Sequence, residues 1–379
     1  MEIAMQAQHQ DDLQNFVDFS AIQLSPRFAA ESFGLSTRRL AVIEAEHGIE
    51  IQRKLGGAVP TRVYTPQDLF EIAAVRRAAG LSKGFGRQMV ASTFVPKGGT
   101  AKTTLAVNIS IVAQITGLKV LLIDNDPQGD SSSMLGYDPD FDADDLQEMG
   151  IPRDRLVDGH FGNLMQSLLR MRVFDHKGLD GVIKKPFGEN GVHLIPADAY
   201  LDDLSVALDA MDNSDMWYSQ WLQKANNGGI PGCDVSGYDL IIFDNAPATS
   251  RLTKNAVAAS DMLLCPVRMD KFSFRALNRL NDWCVRFAQA YKYAPAVTAV
   301  PTMFIRNRPR LLASLATLNQ LFPGRVTEEK LFFSEDYSKS LDEGVPLMFW
   351  KQANKDTLAG ARRVYHEVLN RIRDLSHSA

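Results

Sequence analysis

The residues best suited to chemistry lie in one stretch, VPKGGTAKTT, at positions 95–104. It follows a short apolar run, 89–94, and opens a helical pattern that runs to about Thr116. A strand that leads through a glycine-rich turn into a helix points several backbone N–H groups and the positive helix end at one place. The stretch therefore predicts a site for the phosphates of a nucleotide.

Two later stretches place carboxylates directly after apolar runs. They read KVLLIDNDPQG at 119–129 and YDLIIFDNAP at 238–247. Continuously apolar runs are typical of parallel strands buried on both faces, and such sheets bind ligands at the carboxyl ends of their strands. Asp124, Asp126 and Asp244 are therefore expected beside the phosphate site.

The phosphate stretch departs from the common P-loop pattern G-x-x-x-x-G-K-[ST]. Pro96 and Ala101 stand at the two glycine positions, and Lys97 adds a second lysine. The remaining pattern, K-G-G-x-x-K-T-T, resembles the deviant P-loop of the ParA/MinD family of dimeric ATPases. The resemblance implies a nucleotide-binding set of Lys97, Gly98, Gly99, Thr100, Ala101, Lys102, Thr103 and Thr104.

The same resemblance assigns roles and cofactors, namely ATP or ADP and Mg²⁺. Lys102 would contact the β- and γ-phosphates, and Lys97 would act in trans on the ATP of a partner subunit. Thr103, Asp124 and Asp244 would hold or support Mg²⁺, and Asp126 would orient the attacking water. The loop 268–274 is where family members hold the base. For Ala101 we expect an ordinary helical conformation, because a left-handed alanine would cost about 1 kcal/mol or more.

Composition indicates an ordinary globular chain: 379 residues, 45% hydrophobic and 23% charged. Cys233, Cys265 and Cys284 lack C-x-x-C spacing, so neither a disulfide framework nor a metal cluster is expected, and a reducing cytoplasm fits. No apolar run suits a membrane span, and the first residues do not resemble a signal peptide. We expect a protein that is neither secreted nor membrane-spanning.

The strands and helices that must position these groups indicate an α/β fold. We expect a P-loop ATPase with a mainly parallel twisted sheet flanked by helices, preceded by a helical winged helix-turn-helix domain. The expected divisions are 1–25, an N-terminal helix and possible dimerisation arm; 26–87, a DNA-binding domain; and 88–379, the ATPase. For 1–25 a helix packed on its own domain is equally compatible with the pattern.

The predicted DNA-binding domain is basic, with ten Lys and Arg against six Asp and Glu over 26–90. Ser36 can cap a helix from Thr37, the segments 51–57 and 61–64 suggest two short strands, and Thr65-Pro66 can begin another helix. This layout, with VYTPQDLFEIAAVRRAAGLS at 63–82, resembles the winged helix-turn-helix of the MerR type. The resemblance implies DNA contacts by Arg38, Arg39, Arg53, Lys54 and Arg62; a solvated helical module is the alternative.

Three further segments complete the pattern. Residues 138–158 carry eight acids against two arginines, which predicts a solvated surface segment. Arg306, Arg308 and Arg310 cluster after a strand at 297–304, either as a second DNA contact or as a solvated loop. The helix at 358–375 has an apolar stripe beside several arginines, which we interpret as packing against the sheet rather than as a membrane anchor of the MinD kind.

Together the resemblances imply a cytoplasmic, nucleoid-associated partition ATPase. Such proteins dimerise and bind DNA non-specifically with ATP, repress their operon through the winged helix with ADP, and are stimulated by a ParB-type centromere-binding protein. The alternatives are a nucleotide-sensing transcriptional repressor, a reductase like the nitrogenase iron protein, and a MinD-like membrane ATPase. The cysteine spacing gives the reductase no support, and the DNA-binding module argues against the membrane ATPase.

Overall fold

The protein is described by a computed structural model over residues 16–55 and 60–378, without the side chains of 271–273, 276 and 277. Its strands form a two-stranded antiparallel sheet and a six-stranded parallel sheet of order β5-β4-β6-β3-β7-β8. The strands are β1 (Arg53–Lys54), β2 (Thr61–Arg62), β3 (Met89–Thr93), β4 (Val120–Asn125), β5 (His193–Ile195), β6 (Leu240–Asn245), β7 (Met262–Arg268) and β8 (Ala296–Thr302).

Helices cover the large sheet, as the apolar strands require. Every residue of β3, β4 and β6 is buried, because both faces of a parallel sheet are packed. The helices are α1 (Pro26–Ser32), α2 (Thr37–His47), α3 (Pro66–Ala78), α4 (Lys102–Ile115), α5 (Asp130–Met134), α6 (Ala143–Glu148), α7 (Phe161–Met165), α8 (Leu201–Asp209), α9 (Trp217–Asn226), α10 (Arg251–Ala259), α11 (Lys271–Tyr291), α12 (Pro309–Leu321), α13 (Asp336–Asp342) and α14 (Lys355–His377). The predicted parallel α/β architecture is confirmed.

The predicted N-terminal helices begin at their expected caps. The Ser36 hydroxyl accepts a hydrogen bond of 3.2 Å from the Arg39 N–H, and Thr65 forms a reciprocal capping box with Asp68 before α3. The two short strands expected at 51–57 and 61–64 are β1 and β2. Residues 56–59, between these strands, lie outside the described residues.

The helix expected over the first 24 residues is wrong for its described part, 16–24, which we call the N-terminal strap. The strap holds one 3-10 turn, Phe19–Ala21, capped by Asp18. Leu24 then exchanges backbone hydrogen bonds of 2.7 and 3.0 Å with Tyr64, which keeps this end extended. Residues 1–15 of the predicted helix lie outside the described residues.

The N-terminal elements, from the strap to α3, share one hydrophobic core with the large sheet and its helices. Four phenylalanines from distant segments meet there: the Phe187 ring lies 4.8 Å from Phe19, 5.2 Å from Phe70 and 5.4 Å from Phe349. These rings belong to the strap, to α3, to the loop that contains Phe187 and to the 3-10 turn Leu347–Phe349. The strap and α3 are therefore packed against the core of the large sheet.

The final helix also belongs to this core. Val364, Val368 and Ile372 on α14 are fully buried, as expected for a helix packed in the protein interior. On another side of α14, the Arg362 guanidinium stacks 4.8 Å from the Phe28 ring of α1 and donates to the Ser32 hydroxyl at 3.0 Å. Across the described parts of the chain, none of the helices is both long enough and apolar enough to cross a membrane.

The region between β4 and β6 is more broken than its sequence suggests. Helix α7 ends at Met165 and continues as the 3-10 turn Gln166–Leu168. The segment 198–232 holds the two short helices α8 and α9. All three cysteines are buried.

Candidate nucleotide site

The phosphate stretch leaves the centre of the large sheet, where β3 lies between β6 and β7, and turns into α4. Gly99 and Ala101 both adopt left-handed backbone, with φ of 63° and 72°. The helical conformation expected for Ala101 is therefore wrong. The sharp turn into α4 places this residue at the helix N-cap position in left-handed geometry, although alanine pays about 1–2 kcal/mol for it.

A cavity of about 720 Å³ opens over this turn, a size typical of small-molecule sites. Its base, which we call the phosphate floor, consists of residues 98–104 and Asp126. The structure thus brings together the turn and the acid that were predicted to do chemistry. Asp130, in the first turn of α5, also lines the cavity and was missed by the sequence reasoning.

Lys102 is almost completely buried at the phosphate floor. Its ammonium group donates to the Lys97 carbonyl at 3.2 Å. Burial lowers the pKa of Lys102, while the charges of Asp244, Asp126 and Asp130 oppose that shift. The result is a cation with restricted position, surrounded by carboxylates, which is suited to holding a multiply charged phosphate group.

Asp244 lies at the end of β6 and is fully buried. Its two carboxylate oxygens accept hydrogen bonds from the Thr93 hydroxyl at 2.6 Å and the Ser131 hydroxyl at 2.7 Å. Burial raises the pKa of Asp244, and hydrogen bonds from these hydroxyls and from Thr103 oppose the increase. Hydroxyl and carboxylate oxygens are the donors that Mg²⁺ prefers, so Thr103 and Asp244 fit the predicted ion.

Asp124 occupies a deeper position. One of its oxygens accepts from the Ser132 N–H at 2.9 Å and the Ser132 hydroxyl at 2.7 Å, and the other accepts from the Asp126 N–H at 3.2 Å. Burial, followed by the charge of Asp244, raises the pKa of Asp124 well above its usual value. The residue ties the end of β4 to α5 behind the cavity, and its metal role stays a prediction. Ser131 and Ser132 were missed, although they directly follow the DPQG motif.

Asp126 belongs to the phosphate floor. It lines the cavity and is 9% exposed. One carboxylate oxygen accepts from the Gln128 N–H at 3.1 Å. Burial raises the pKa of Asp126, while that hydrogen bond and Lys102 oppose the shift. A second oxygen can therefore serve as an acceptor toward the cavity.

Lys97 lies apart from the cavity lining in this single chain. Its ammonium group contacts both carboxylate oxygens of Asp270, at 2.9 and 2.8 Å. Asp270 follows β7 and also lies 3.7 Å from the Arg268 guanidinium. The loop 268–274 was expected to hold the base, yet among the described side chains the cavity lining includes none from this loop. Instead this loop holds the predicted trans lysine.

Two further groups of side chains line the cavity. One group, which we call the outer wall, consists of Phe16, Met134, Phe141, Leu146, Ile151 and Arg155. The other, which we call the opposite wall, consists of Met303, Phe333, Tyr337 and Leu341. Most acids of 138–158 are exposed as expected. The same segment nevertheless lines the cavity, which its charge did not reveal.

The predicted DNA-binding residues of the N-terminal elements have different surroundings. Arg38, Arg53 and Lys54 are exposed. Arg62 lies directly opposite Arg53 in the two-stranded sheet and 3.1 Å from the buried Glu44 carboxylate. Glu44 also accepts a 2.5 Å hydrogen bond from the Tyr64 hydroxyl. Arg62 thus has a structural contact in addition to any DNA contact.

The remaining candidates lie elsewhere. Arg39 is 3.8 Å from Glu46 on its own helix, a weak surface pair. Arg306 stacks 4.3 Å from the Phe332 ring, and Arg308 immediately precedes α12. Arg306, Arg308 and Arg310 are exposed. The structure therefore keeps these three cations accessible.

The geometry agrees with comparisons to known proteins. A profile of the AAA domain family matches residues 89–294, which is more than half of the chain. The chain belongs to this family. A ParA family protein of Chlamydia pneumoniae is 26% identical over 254 residues, covering 66% of this chain and 86% of that protein. The sporulation initiation inhibitor protein Soj of Bacillus subtilis is 28% identical over 195 residues, covering 52% and 64%.

Solved structures share the fold of this chain. The ATP complex of a Cyanothece McdA variant has a TM-score of 0.58 at 17% identity, covering 74% of this chain and 96% of that one. A plasmid partition protein of Borrelia burgdorferi bound to AMPPNP has a TM-score of 0.54 at 20% identity, covering 75% and 99%. Another partition protein covers 100% of this chain and 98% of its own, with a TM-score of 0.56 at 16% identity. At these identities the likeness shows the fold alone.

Proposed function

We propose that this protein is a Mg²⁺-dependent ATPase that partitions a DNA replicon. The observation that carries this proposal is the phosphate floor, where the buried Lys102 lies among Asp126, Asp130 and Asp244 at the start of α4. Relatives named as ParA family and partition proteins support the biological role. Solved relatives bound to ATP or to ADP and magnesium support the cofactors.

In the proposed reaction the γ-phosphoryl group is transferred to water. Backbone N–H groups of residues 98–104 and Lys102 bind the phosphates, and Asp126 orients the attacking water. Thr103 and Asp244 would hold Mg²⁺, with Asp124 supporting their surroundings from behind. The ion would supply neutralisation of phosphate charge when bound.

The proposed active unit is a homodimer in which Lys97 reaches the nucleotide of the partner. Its present position beside Asp270, away from the cavity of its own chain, is compatible with that role. Reaching across would require Lys97 to exchange Asp270 for phosphate oxygens. Mixing a Lys97→Ala chain with a Lys102→Ala chain tests this directly. Each mixed dimer would regain one complete site, so turnover should rise well above that of either variant alone, whereas additive activities would contradict action in trans.

We further propose that residues 26–87 are a winged helix-turn-helix that binds DNA. The exposed Arg53 on β1 supports this, because it lies directly opposite Arg62 and next to Lys54, so that the two-stranded sheet presents several cations together. Glu44 already neutralises Arg62 from the protein side, at 3.1 Å. Arg38, Arg39 and Lys54 would add contacts, and Arg306 and Arg308 would contribute to non-specific binding with ATP. A ParB-type protein would stimulate hydrolysis, and operator binding with ADP would regulate the operon. This implies a cytoplasmic protein associated with the nucleoid.

The deciding experiment measures hydrolysis and binding to random-sequence duplex DNA without nucleotide, with ADP, and with ATP and Mg²⁺, at one stated salt concentration. We expect ATP to strengthen DNA binding in the wild-type protein but not in the Lys102→Ala variant. A salt series adds a check, since each phosphate contact contributes about one unit to the slope of log affinity against log salt. Equal DNA affinity in all three nucleotide states would contradict the partition mechanism.

A nucleotide-sensing repressor is the second candidate. The hydrophobic core shared by the N-terminal elements and the ATPase favours it, because nucleotide binding could change operator affinity without any DNA transport. This candidate predicts binding to one operator, little hydrolysis, and no stimulation of hydrolysis by a ParB-type protein. The same DNA-binding experiment, repeated with the operator sequence, separates the two candidates.

A further inference from the structure

We propose that Arg155 contacts the nucleoside part of the bound nucleotide and is held in place for this by Phe16. The inference rests on the proposed function, because it assumes that the cavity binds a nucleotide. It concerns a segment that carries none of the phosphate-binding motifs. Arg155 ends the 3-10 turn Arg153–Arg155 and lines the cavity as part of the outer wall.

The Arg155 guanidinium is held between two aromatic rings. It lies 5.5 Å from the ring centre of Phe16 and 5.1 Å from that of Tyr137. Such contacts fix the plane of the guanidinium while leaving its N–H groups to point past the ring edges. The side chain is therefore ordered before any ligand binds, which reduces the entropy lost on binding.

One end of this guanidinium lacks a hydrogen-bond acceptor. The Nη1 atom is buried, and no acceptor among the described residues contacts it. It packs against Gly136, where a Cβ atom would come within 3.2 Å of Nη1. Arg155 as a whole is half-buried and lines the cavity. A ligand would therefore meet the other N–H groups of the guanidinium, while the buried Nη1 end is fixed against Gly136.

The position along the cavity indicates which part of the ligand is contacted. Asp130 lies close enough to Lys102 to influence its pKa, and so marks the phosphate end. The backbone N–H groups of residues 98–104 and Lys102, which suit phosphates, line the floor, whereas Arg155 lines the outer wall with Phe16, Met134 and Phe141. With the phosphates on the floor, the outer wall faces the ribose and the base. Arginine only donates hydrogen bonds, so its ligand atoms are ribose oxygens or unprotonated ring nitrogens of the base.

The Phe16 ring, which contacts Arg155, connects this part of the cavity to the N-terminal elements. Phe16 begins the described part of the N-terminal strap, and Leu24 at its other end is bonded to Tyr64 beside β2. A nucleotide that orders Arg155 and Phe16 would also order the strap. The cavity and the proposed DNA-binding elements are thus joined through the short strap, 16–24.

The test compares full-length variants at matched positions. Arg155→Ala should bind ATP about tenfold more weakly than wild type by calorimetry, Phe16→Ala should be weakened less, and Arg155→Lys should be intermediate. Arg153→Ala is the control, since Arg153 is exposed in the same turn and should leave affinity unchanged. Equal thermal stability of all four variants would show that the fold is intact.

Two further ligands locate the contact. Inorganic tripolyphosphate should bind Arg155→Ala and wild type equally, whereas equal losses for tripolyphosphate and ATP would overturn the nucleoside assignment. A 2′-deoxynucleotide distinguishes a ribose hydroxyl from the base, because only a hydroxyl contact makes its affinity insensitive to Arg155. Hydrogen exchange should show ADP-induced protection of residues 17–24 in wild type that is lost in Arg155→Ala.

The failures of the two proposals are distinguishable. If wild type binds no nucleotide, the proposed function and this inference both fail. If wild type and Arg155→Ala bind ATP equally while Lys102→Ala binds neither ATP nor tripolyphosphate, the proposed function stands and the inference on Arg155 is overturned.

Discussion

The phosphate floor and the outer wall of the same cavity are built in different ways. The floor comes from seven consecutive residues, 98–104, together with Asp126, and depends largely on backbone N–H groups and the helix end. The outer wall takes side chains from segments as distant as Phe16 and Arg155. A site made from consecutive residues leaves a motif in the sequence, whereas one assembled by folding does not. If the floor supplies most of the binding and chemistry, variants there should have much larger effects than variants in the walls.

The largest expected effect follows from Asp126→Ala. Removing the carboxylate that we propose to orient water should lower the rate of ATP hydrolysis by about 10²- to 10⁴-fold, the range typical of positioned acids and bases. ATP affinity should stay close to wild type, since in this proposal Lys102 and backbone N–H groups hold the phosphates. Single-turnover hydrolysis and calorimetry on the same preparation measure both quantities. Wild-type turnover in this variant would rule out the role of Asp126.

Lys102→Ala should weaken ATP binding by about 30- to 5,000-fold, because truncating one partner of a buried charge pair costs about 2–5 kcal/mol. The loss should be equally large for tripolyphosphate. Lys97→Ala is the matched control in the same loop, since Lys97 contacts Asp270 outside the cavity. If monomeric Lys97→Ala lost as much affinity as Lys102→Ala, the distinction between the two lysines would be wrong.

The opposite wall should contribute much less. Leu341 lines the cavity and is 45% exposed, so its truncation should leave the fold intact. We expect Leu341→Ala to weaken ATP binding about fivefold, from the loss of about 1 kcal/mol of apolar contact, with no change for tripolyphosphate. Leu312→Ala, which shortens a similarly exposed leucine on α12, serves as the control. A hundredfold loss in Leu341→Ala would show that the wall rivals the floor.

The smallest expected effect concerns the left-handed backbone of the phosphate floor and is measured as protein stability. Ala101→Gly should stabilise the protein by about 1 kcal/mol, because glycine adopts the left-handed φ of 72° without steric cost. Gly99→Ala should destabilise it by a similar amount, since φ there is 63° and no neighbouring atom crowds the new methyl group. Denaturant unfolding of the two variants measures both changes. Opposite signs are required; destabilisation by both would contradict this account of the loop.

Features set by consecutive residues could be predicted from the sequence, whereas features made by residues that folding brings together could not. Apolar runs ending in acids were sufficient to place β4 and β6, and the cap residues Ser36 and Thr65 predicted their helices. The helical conformation predicted for Ala101 was wrong because the turn into α4, and not the preference of alanine, determines its backbone conformation. The strap was wrong as a helix because Leu24 pairs with Tyr64, forty positions away. Arg155 was treated as part of a charged surface, since nothing local indicates that Phe16 packs against it.

The continuous core between the N-terminal elements and the ATPase has a consequence for how such proteins can be recombined. A cut near residue 87 would expose Phe19, Tyr64 and Phe70, all fully buried here, and would break the hydrogen bond from the Gly86 N–H to the Ser376 hydroxyl. Gene fusion or domain exchange at that point would therefore divide one hydrophobic core instead of transferring a domain with a core of its own. The N-terminal elements and the ATPase must change together during evolution, each substitution on one side of the shared core restricting those tolerated on the other.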